Sequence, residues 1–333
     1  MNISELSTPA LLIDAEAFEF NLATMAAVLP GSRLRPHVKA HKCTAIARAQ
    51  RGHGHRSFTC ATPREVIGMV AAGLGEDLLL ANETLDPARL AAMASLQDQA
   101  VITVALDSRD TIDAAAAAGL KYGLIDVNVG LPRCGCAPSE AGHLADYARG
   151  LGMTIRGVMG YEGHLMRVAD RTEQHALVAA AMEKLIVASL MVGGDIISAG
   201  GTGTYDLHDQ VNEIQAGSYA LMDTDYGGRG HPFKQACFVL STVISSNPGY
   251  AVGDAGLKAH GMDHGNPSMA DGSTIRFLSD EHVTFVPAAQ LAVGTKVKMI
   301  PAHIDPTMAM HEVAWLVKDD EVIESWPIDL RGW

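Results

Sequence analysis

The sequence predicts an α/β chain: a (β/α)8 TIM barrel followed by a smaller antiparallel β domain. Three observations lead there. Eight short β-prone runs alternate with helical segments between residues 33 and 217. Several runs are apolar without strict alternation, as strands covered on both faces must be. Residues able to do chemistry gather at the C-terminal ends of the runs, and a closed barrel puts those ends on one face around one cavity. The competing architecture is an open doubly wound sheet, but no Gly-x-Gly-x-x-Gly follows the first strand.

The elements follow in order. Residues 10–13 read as a short strand. Asp14 can cap the next helix, on which Phe18, Leu22, Met25 and Leu29 share a face. Pro30-Gly31 stops it. Barrel strands are expected at 33–39, 57–61, 77–81, 101–106, 122–129, 155–161, 196–200 and 213–217. Helices are expected at 44–50, 63–72, 86–96, 110–118, 139–149 and 173–191. After about Gly230 the pattern changes. Runs at 238–244, 274–278, 282–286, 296–301 and 313–317 are β-prone, separated by turns such as Asn247-Pro248-Gly249, with no helix expected between them. The barrel is therefore assigned to 15–229 and the β domain to 1–14 plus 230–333, with the strand at 10–13 free to pair with the β domain.

Composition narrows the function. The 333 residues are 48% hydrophobic and 19% charged, enough for one large domain and a smaller one. A net charge of -13 without a basic block argues against nucleic acid. An anionic cofactor remains compatible, because local amides and single cations decide its binding. The first residues lack a charged segment followed by an apolar core, so no secretory signal is expected. No uninterrupted apolar run reaches bilayer length, so no membrane partner is expected. Five cysteines, an odd number without Cys-x-x-Cys, suit reduced thiols in the cytoplasm. Cys134-Gly135-Cys136 offers two thiols to a soft metal but has no second pair.

The most telling segment is Arg35-Pro36-His37-Val38-Lys39-Ala40-His41-Lys42. Lys39 falls where an apolar strand would end, and a partly desolvated amine near other cations becomes a nucleophile toward aldehydes. A solvated basic loop is the plainer alternative. Gly200-Gly201-Thr202-Gly203-Thr204 follows the seventh strand. There backbone N–H groups can turn toward an anion, and barrels commonly bind phosphate after strands seven and eight. A flexible turn is the competing reading. Arg133, in a Gly- and Pro-shaped loop after the fifth strand, could meet a pyridine nitrogen, which it would leave unprotonated because arginine keeps its own protons. Glu162 and His164, just after Tyr161 at the end of the sixth strand, are candidate proton carriers. His303 and Asp305, two apart in an extended segment, would point to one side and offer an N/O pair to Mn, Mg or Zn. An Asp-Pro turn would account for the same residues.

Taken together, these segments resemble the D-threonine aldolases and D-serine dehydratases, pyridoxal-phosphate enzymes of the alanine racemase-like fold. The resemblance spans nearly the whole chain. It is carried by the Lys39 octapeptide, Arg133-Cys134-Gly135, the glycine loop, Gln215-Ala216-Gly217-Ser218-Tyr219, Asp254-Ala255-Gly256-Leu257-Lys258 and Pro301-Ala302-His303-Ile304-Asp305-Pro306-Thr307. It implies that Lys39 holds pyridoxal 5'-phosphate, that Arg133 faces the ring nitrogen, and that residues 200–204 take the phosphate. Tyr161, Gly217 and Tyr219 join the cofactor site on the same grounds. The resemblance also implies that His303 and Asp305 bind a divalent metal, Mn2+ before Mg2+ or Zn2+, and that the enzyme is a homodimer. The expected substrate is a small β-hydroxy-D-amino acid cleaved to glycine and an aldehyde. Dehydration of D-serine or 3-hydroxy-D-aspartate is the alternative, racemisation a third, and a non-catalytic cofactor carrier the rival from another class. Asp305 stands where the dehydratase branch has cysteine. His164 or Glu162 is left to act as base, because Arg167 occupies the position of a downstream histidine in many aldolases.

Overall fold

Apolar runs of four and five residues supply the strands, and polar caps start the helices between them. The computed structural model describes residues 1–333. It contains two units: Ala26–Lys39, Ile46–Gly217 and Gly332–Trp333 in one, Met1–Met25, Ala40–Ala45 and Ser218–Arg331 in the other. The chain opens with β1 (Ala10–Asp14) and α1 (Ala15–Val28). Asp14 accepts the Ala17 N–H at 2.8 Å, and Phe18, Leu22, Met25 and Leu29 are buried along one face.

The larger unit alternates α2 (Thr44–Gly52), β2 (Ser57–Cys60), α3 (Pro63–Ala71), β3 (Asp77–Leu80), α4 (Pro87–Ala94), β4 (Ile102–Leu106) and α5 (Arg109–Ala117). It continues with β5 (Tyr122–Asp126), α6 (Ala141–Gly150), β6 (Thr154–Met159), α7 (Arg171–Val192), β7 (Ile196–Ala199) and β8 (Glu213–Ile214). Thr62, Asp86, Ser108 and Asp170 accept first-turn N–H groups of α3, α4, α5 and α7. The seven strands form one parallel sheet in sequence order.

The expected first barrel strand at 33–39 needs correction. Only Leu34, parallel to Ile214, and His37, parallel to Thr59, make bridges, and a 3-10 turn covers Val38–Ala40. Pro36 has no N–H to continue a ladder. The segment still closes the ring. Arg35 N–H donates to Ile214 O (2.8 Å), His37 N–H to Ala216 O (3.1 Å), and Thr59 N–H to Pro36 O (2.9 Å).

Charge fills the end of this barrel where the strands begin. Arg35, 2% exposed, lies 2.8 Å from Glu213 and 3.1 Å from Asp77, and Arg156 holds Asp77 through two 2.8 Å hydrogen bonds. Burial opposes every one of these charges. The guanidiniums outweigh it and keep the Asp77 carboxyl below its usual range. This end lies opposite the strand C-termini, so its role is stability.

Gly157 interrupts β6 with φ +145°, and an added Cβ would stand 2.0 Å from the Ile196 carbonyl oxygen. Gly157→Ala is expected to destabilise the barrel by roughly 2–4 kcal/mol, seen as a lower urea midpoint with unchanged slope.

α7 is long enough, and apolar enough on average (mean hydropathy 1.7), to cross a membrane, which qualifies the expectation that nothing here reaches bilayer length. Glu183-Lys184 interrupt it, while Val178, Ala181, Met182, Leu185 and Ala188 are buried. A helix lining a barrel has the same composition.

The other unit contains β9 (Cys237–Asn247), β10 (Tyr250–Gly253), β11 (Ser268–Met269), β12 (Thr274–Leu278), β13 (Val283–Val286) and β14 (Lys296–Ile300). α8 (Ile304–Met310), β15 (Val313–Lys318) and β16 (Glu321–Pro327) follow. Long β9 pairs antiparallel with β1, β10 and β14. β1 also pairs with β15, its one parallel neighbour. Ile3, Leu6, Ala10, Leu12, Leu240 and Val317 form a core beneath this sheet. Two expectations change here. β10, β11 and β16 are additional strands; β10 and β11 are short, and the charges of β16 at Glu321 and Glu324, three apart, break the period of two. And a helix does intervene: α8 covers Asp305, so His303 and Asp305 are not alternate residues of an extended segment. His303 is the residue before the helix and Asp305 lies in its first turn.

Candidate active site at the barrel rim and an N/O cluster in the second unit

The barrel-rim residues meet at one aromatic ring. Tyr161 leaves the end of β6 half-buried. Lys39 Nζ lies 5.7 Å from its ring centroid and the Arg133 guanidinium carbon 5.4 Å. The ring also packs over two glycines: a Cβ on Gly163 would stand 2.4 Å from it, and one on Gly201 would stand 3.5 Å away. Four segments, after the first, fifth, sixth and seventh barrel strands, therefore bring an amine, a guanidinium, a phenol and the glycine loop together. The grouping follows from a parallel barrel, which sends every strand C-terminus to the same rim.

The glycine loop is narrower in function than its sequence suggests. Gly200 takes φ +81°. Its N–H donates to Glu162 Oε2 (3.2 Å), and the Gly201 N–H donates to Thr204 Oγ1 (3.3 Å). Thr204 in turn donates to Glu162 Oε1 (2.7 Å). Three of the expected anion donors, the Gly200 and Gly201 N–H groups and the Thr204 hydroxyl, thus have protein acceptors in this arrangement. Buried Gly203 differs, since its N–H has no protein acceptor. Thr202 is 2% exposed beside it. A Cβ on Gly203 would stand 2.5 Å from the Met166 carbonyl oxygen, so only glycine fits.

The two candidate proton carriers part company. Glu162 is wholly buried, with Gly200, Thr204 and His208 Nε2 (2.9 Å) as partners. Burial would raise its pKa; the bonds and charge of His208 and the Thr204 hydroxyl outweigh that and hold it below the usual carboxylate range. This enclosure sets Glu162 apart from His164, the other candidate base. His164 is exposed, and its ring lies 3.0 Å from where a Gly130 Cβ would stand, against the loop that carries Arg133.

Carboxyls surround Arg133. Asp126, at the end of β5, is 7% exposed, and its pKa is pushed well up by burial, then by Glu83 and Asp107, with Arg133 opposing. Burial and Glu83 push the Cys134 thiol up to about 12, and burial with Asp126 does the same to Cys136. Neither thiol belongs to a group of three or more candidate metal ligands.

The cluster in the other unit surrounds His303. Its Nδ1 lies 2.7 Å from Asp263 Oδ2, and its Nε2 lies 3.8 Å from Asp305 Oδ1. His264 stacks on His303 at 3.8 Å. Ligand atoms of Asp263, His264 and His303 lie within 4.8 Å of one another. The 3.8 Å gap from Nε2 to a carboxylate is too long for a hydrogen bond, yet an ion about 2.1 Å from each atom would bridge it. Asp223 anchors the segment: it accepts the Ile304 N–H at 3.0 Å, and burial pushes its pKa up to about 6. His311 bonds the Ala259 carbonyl (3.0 Å) and Glu312 pairs with Arg331 (2.6 Å), so neither joins the cluster. Tyr219 belongs to this unit too, wholly buried against Phe233 at 5.7 Å. Gly217 closes the barrel unit after β8.

Sequence reasoning missed His208, Asp126, Glu83, Asp107, Asp263 and His264. His208 left a faint signal, four residues after Thr204. Asp263-His264 is a ligand-rich dipeptide beside Gly261 and Gly265. The three carboxylates come from three separate strand ends, and no spacing joins them.

Residues 13–225 match the family model described as alanine racemase, N-terminal domain, and residues 236–317 match the putative serine dehydratase domain. A D-threonine aldolase of Arthrobacter sp. is 35% identical, over 99% of this chain and 94% of that protein. A 3-hydroxy-D-aspartate aldolase of Paracoccus denitrificans (strain Pd 1222) is 31% identical, over 100% of this chain and 94% of that protein. The crystal structure of D-threonine aldolase from Filomicrobium marinum superposes with a TM-score of 0.90 at 35% identity, covering 98% of this chain and 96% of that one.

Proposed function

The chain belongs to the alanine racemase N-terminal domain family, and from that premise we propose that it is a lyase cleaving β-hydroxy-D-amino acids to glycine and an aldehyde. The observation that carries the reading is the convergence of Lys39, Arg133 and the Gly200–Thr204 loop on the Tyr161 ring. The Lys39 amine, the cationic Arg133 and the acceptor-free Gly203 N–H fit pyridoxal phosphate, and the N/O pair of His303 Nε2 and Asp305 fits a hard divalent ion, with Asp263 holding the opposite ring nitrogen.

Lys39 would hold the cofactor, Arg133 would face its ring nitrogen, and Thr202 with Gly203 would receive its phosphate. Once bound, the cofactor supplies a carbonyl to capture the substrate amine and a ring to take up the electrons of the Cα–Cβ bond. His303 and Asp305 would hold the divalent ion, Mn2+ foremost, as a Lewis acid for the β-hydroxyl. The protein's own part is positioning and proton handling. Arg133 keeps its protons and so presents only donors to the ring nitrogen. Tyr161 sets the distance between Lys39 and Arg133. His164, the exposed imidazole at this rim, would accept the β-hydroxyl proton. As Cα–Cβ breaks, the β-carbon leaves as the aldehyde, and Cα gains a proton to give glycine. The proposal includes a homodimer in the cytoplasm without nucleic-acid or membrane partners; five cysteines, none in a disulfide, are in keeping with a reducing compartment.

The test is product analysis. Purified protein loaded with pyridoxal phosphate and Mn2+ is incubated with D-threonine, D-phenylserine, 3-hydroxy-D-aspartate and D-serine. Glycine plus an aldehyde is the expected outcome. Keto acid plus ammonia would establish the dehydratase reading, and no turnover of any substrate would leave only a cofactor carrier.

A further inference from the structure

Beneath the glycine loop lies a polar group that the proposed reaction does not use. Glu162, Thr204 and His208 have no appreciable side-chain exposure, 0% for the Glu162–His208 pair. The Glu162 carboxylate accepts from Gly200 N–H (3.2 Å), Thr204 O–H (2.7 Å) and His208 Nε2 (2.9 Å), and Thr204 Oγ1 accepts from Gly201 N–H (3.3 Å). His208 Nε2 also lies 3.2 Å from Thr204 Oγ1 and 3.0 Å from where a Gly200 Cβ would stand. The first two amides of the loop are thus turned toward the interior, while the N–H of Gly203 keeps no protein acceptor.

A five-residue loop containing three glycines has many accessible conformations. A fixed anion cradle requires most of them to be removed, and a buried carboxylate with three donors does so, because each donor left without it is a buried, unsatisfied polar group. We propose that Glu162, Thr204 and His208 are positioning residues that clamp the start of the loop, so that the Thr202-Gly203 end forms a phosphate cradle and the protein prefers phosphorylated over unphosphorylated cofactor. The inference rests on the reading that this loop receives the cofactor phosphate. It goes further in assigning the cradle's geometry to a buried triad rather than to the glycines alone.

The experiment compares equilibrium binding of pyridoxal phosphate and of pyridoxal by visible absorbance, without substrate. Thr204→Val keeps the shape but removes the hydroxyl's bonds to Glu162, Gly201 and His208. Glu162→Gln keeps one acceptor oxygen and adds a donor that faces other donors. Thr204→Ser restores the hydroxyl. The expected result is a loss of roughly 10- to 100-fold in pyridoxal phosphate affinity for Thr204→Val and Glu162→Gln, with pyridoxal affinity unchanged and Thr204→Ser close to the parent. Equal losses for both ligands, or no loss for either, would overturn the clamp and leave the proposed function intact. A parent protein that binds the two ligands equally would overturn the phosphate assignment itself. Should Glu162→Gln fail to fold, Thr204→Val against Thr204→Ser decides.

Discussion

Replacing Lys39 by alanine is expected to lower turnover by at least about 10⁴-fold, because the group that would bond the cofactor covalently has no substitute at the rim. Lys39 sits on a 3-10 turn directly after the segment that closes the barrel. Its ammonium lies over the same ring as Arg133. Arg133 cannot form the covalent bond, since it keeps its protons at any working pH. Two measurements accompany the rate. Borohydride treatment of the loaded parent should attach the cofactor to the peptide containing Lys39, and the visible absorbance should vanish from Lys39→Ala at matched cofactor concentration. A variant that keeps the absorbance and the rate would remove the foundation of the proposed function.

Removing the proposed metal ligands is expected to have the second-largest effect. His303→Ala should reduce turnover by on the order of 10²-fold or more, and Asp305→Asn by a smaller factor that added Mn2+ partly restores. The basis is the wide spacing of donors: 3.8 Å between His303 Nε2 and Asp305 Oδ1, with Asp263 on the opposite ring nitrogen at 2.7 Å. A chelator should disable the parent reversibly and leave the visible absorbance unchanged, since the donors of the cofactor site lie among other residues. If His303→Ala retains full turnover after chelation, metal assistance is dispensable and the proton-handling residues alone suffice. The pair of variants thus separates cofactor loss from metal loss by whether colour disappears with activity.

Much of the fold and of the rim is legible in the amino-acid sequence. The alternation of apolar runs with capped helices predicts the barrel, since a parallel strand covered on both faces has no other composition open to it. The runs at 57–61, 77–81, 101–106 and 196–200 correspond to β2, β3, β4 and β7 within a residue or two. The functional residues on strand ends are legible for the same reason: a strand that ends in lysine, in Gly-Gly-Thr-Gly-Thr or in a Gly-Pro-Arg loop leaves those groups at one rim. β16 is not, because its two glutamates, Glu321 and Glu324, lie three apart and break the period of two at the sheet edge, and neither is α8, whose seven residues contain an Asp-Pro dipeptide that reads as a turn.

Local sequence, by itself, determined which residues could bind an aldehyde, an anion or a hard metal, because those capacities belong to side-chain chemistry and to the freedom of glycine. Only the tertiary structure decided which of them are at liberty to act. Glu162 and His164 are two residues apart and equally capable of moving protons. One is enclosed by three donors beneath the loop and the other stands exposed at the rim. The carboxylate that claims Gly200 and Thr204, like those around Arg133, arrives from a distant strand end. Hydrogen bonding between groups dozens of residues apart depends on how the barrel closes, and no short-range pattern in the chain encodes it.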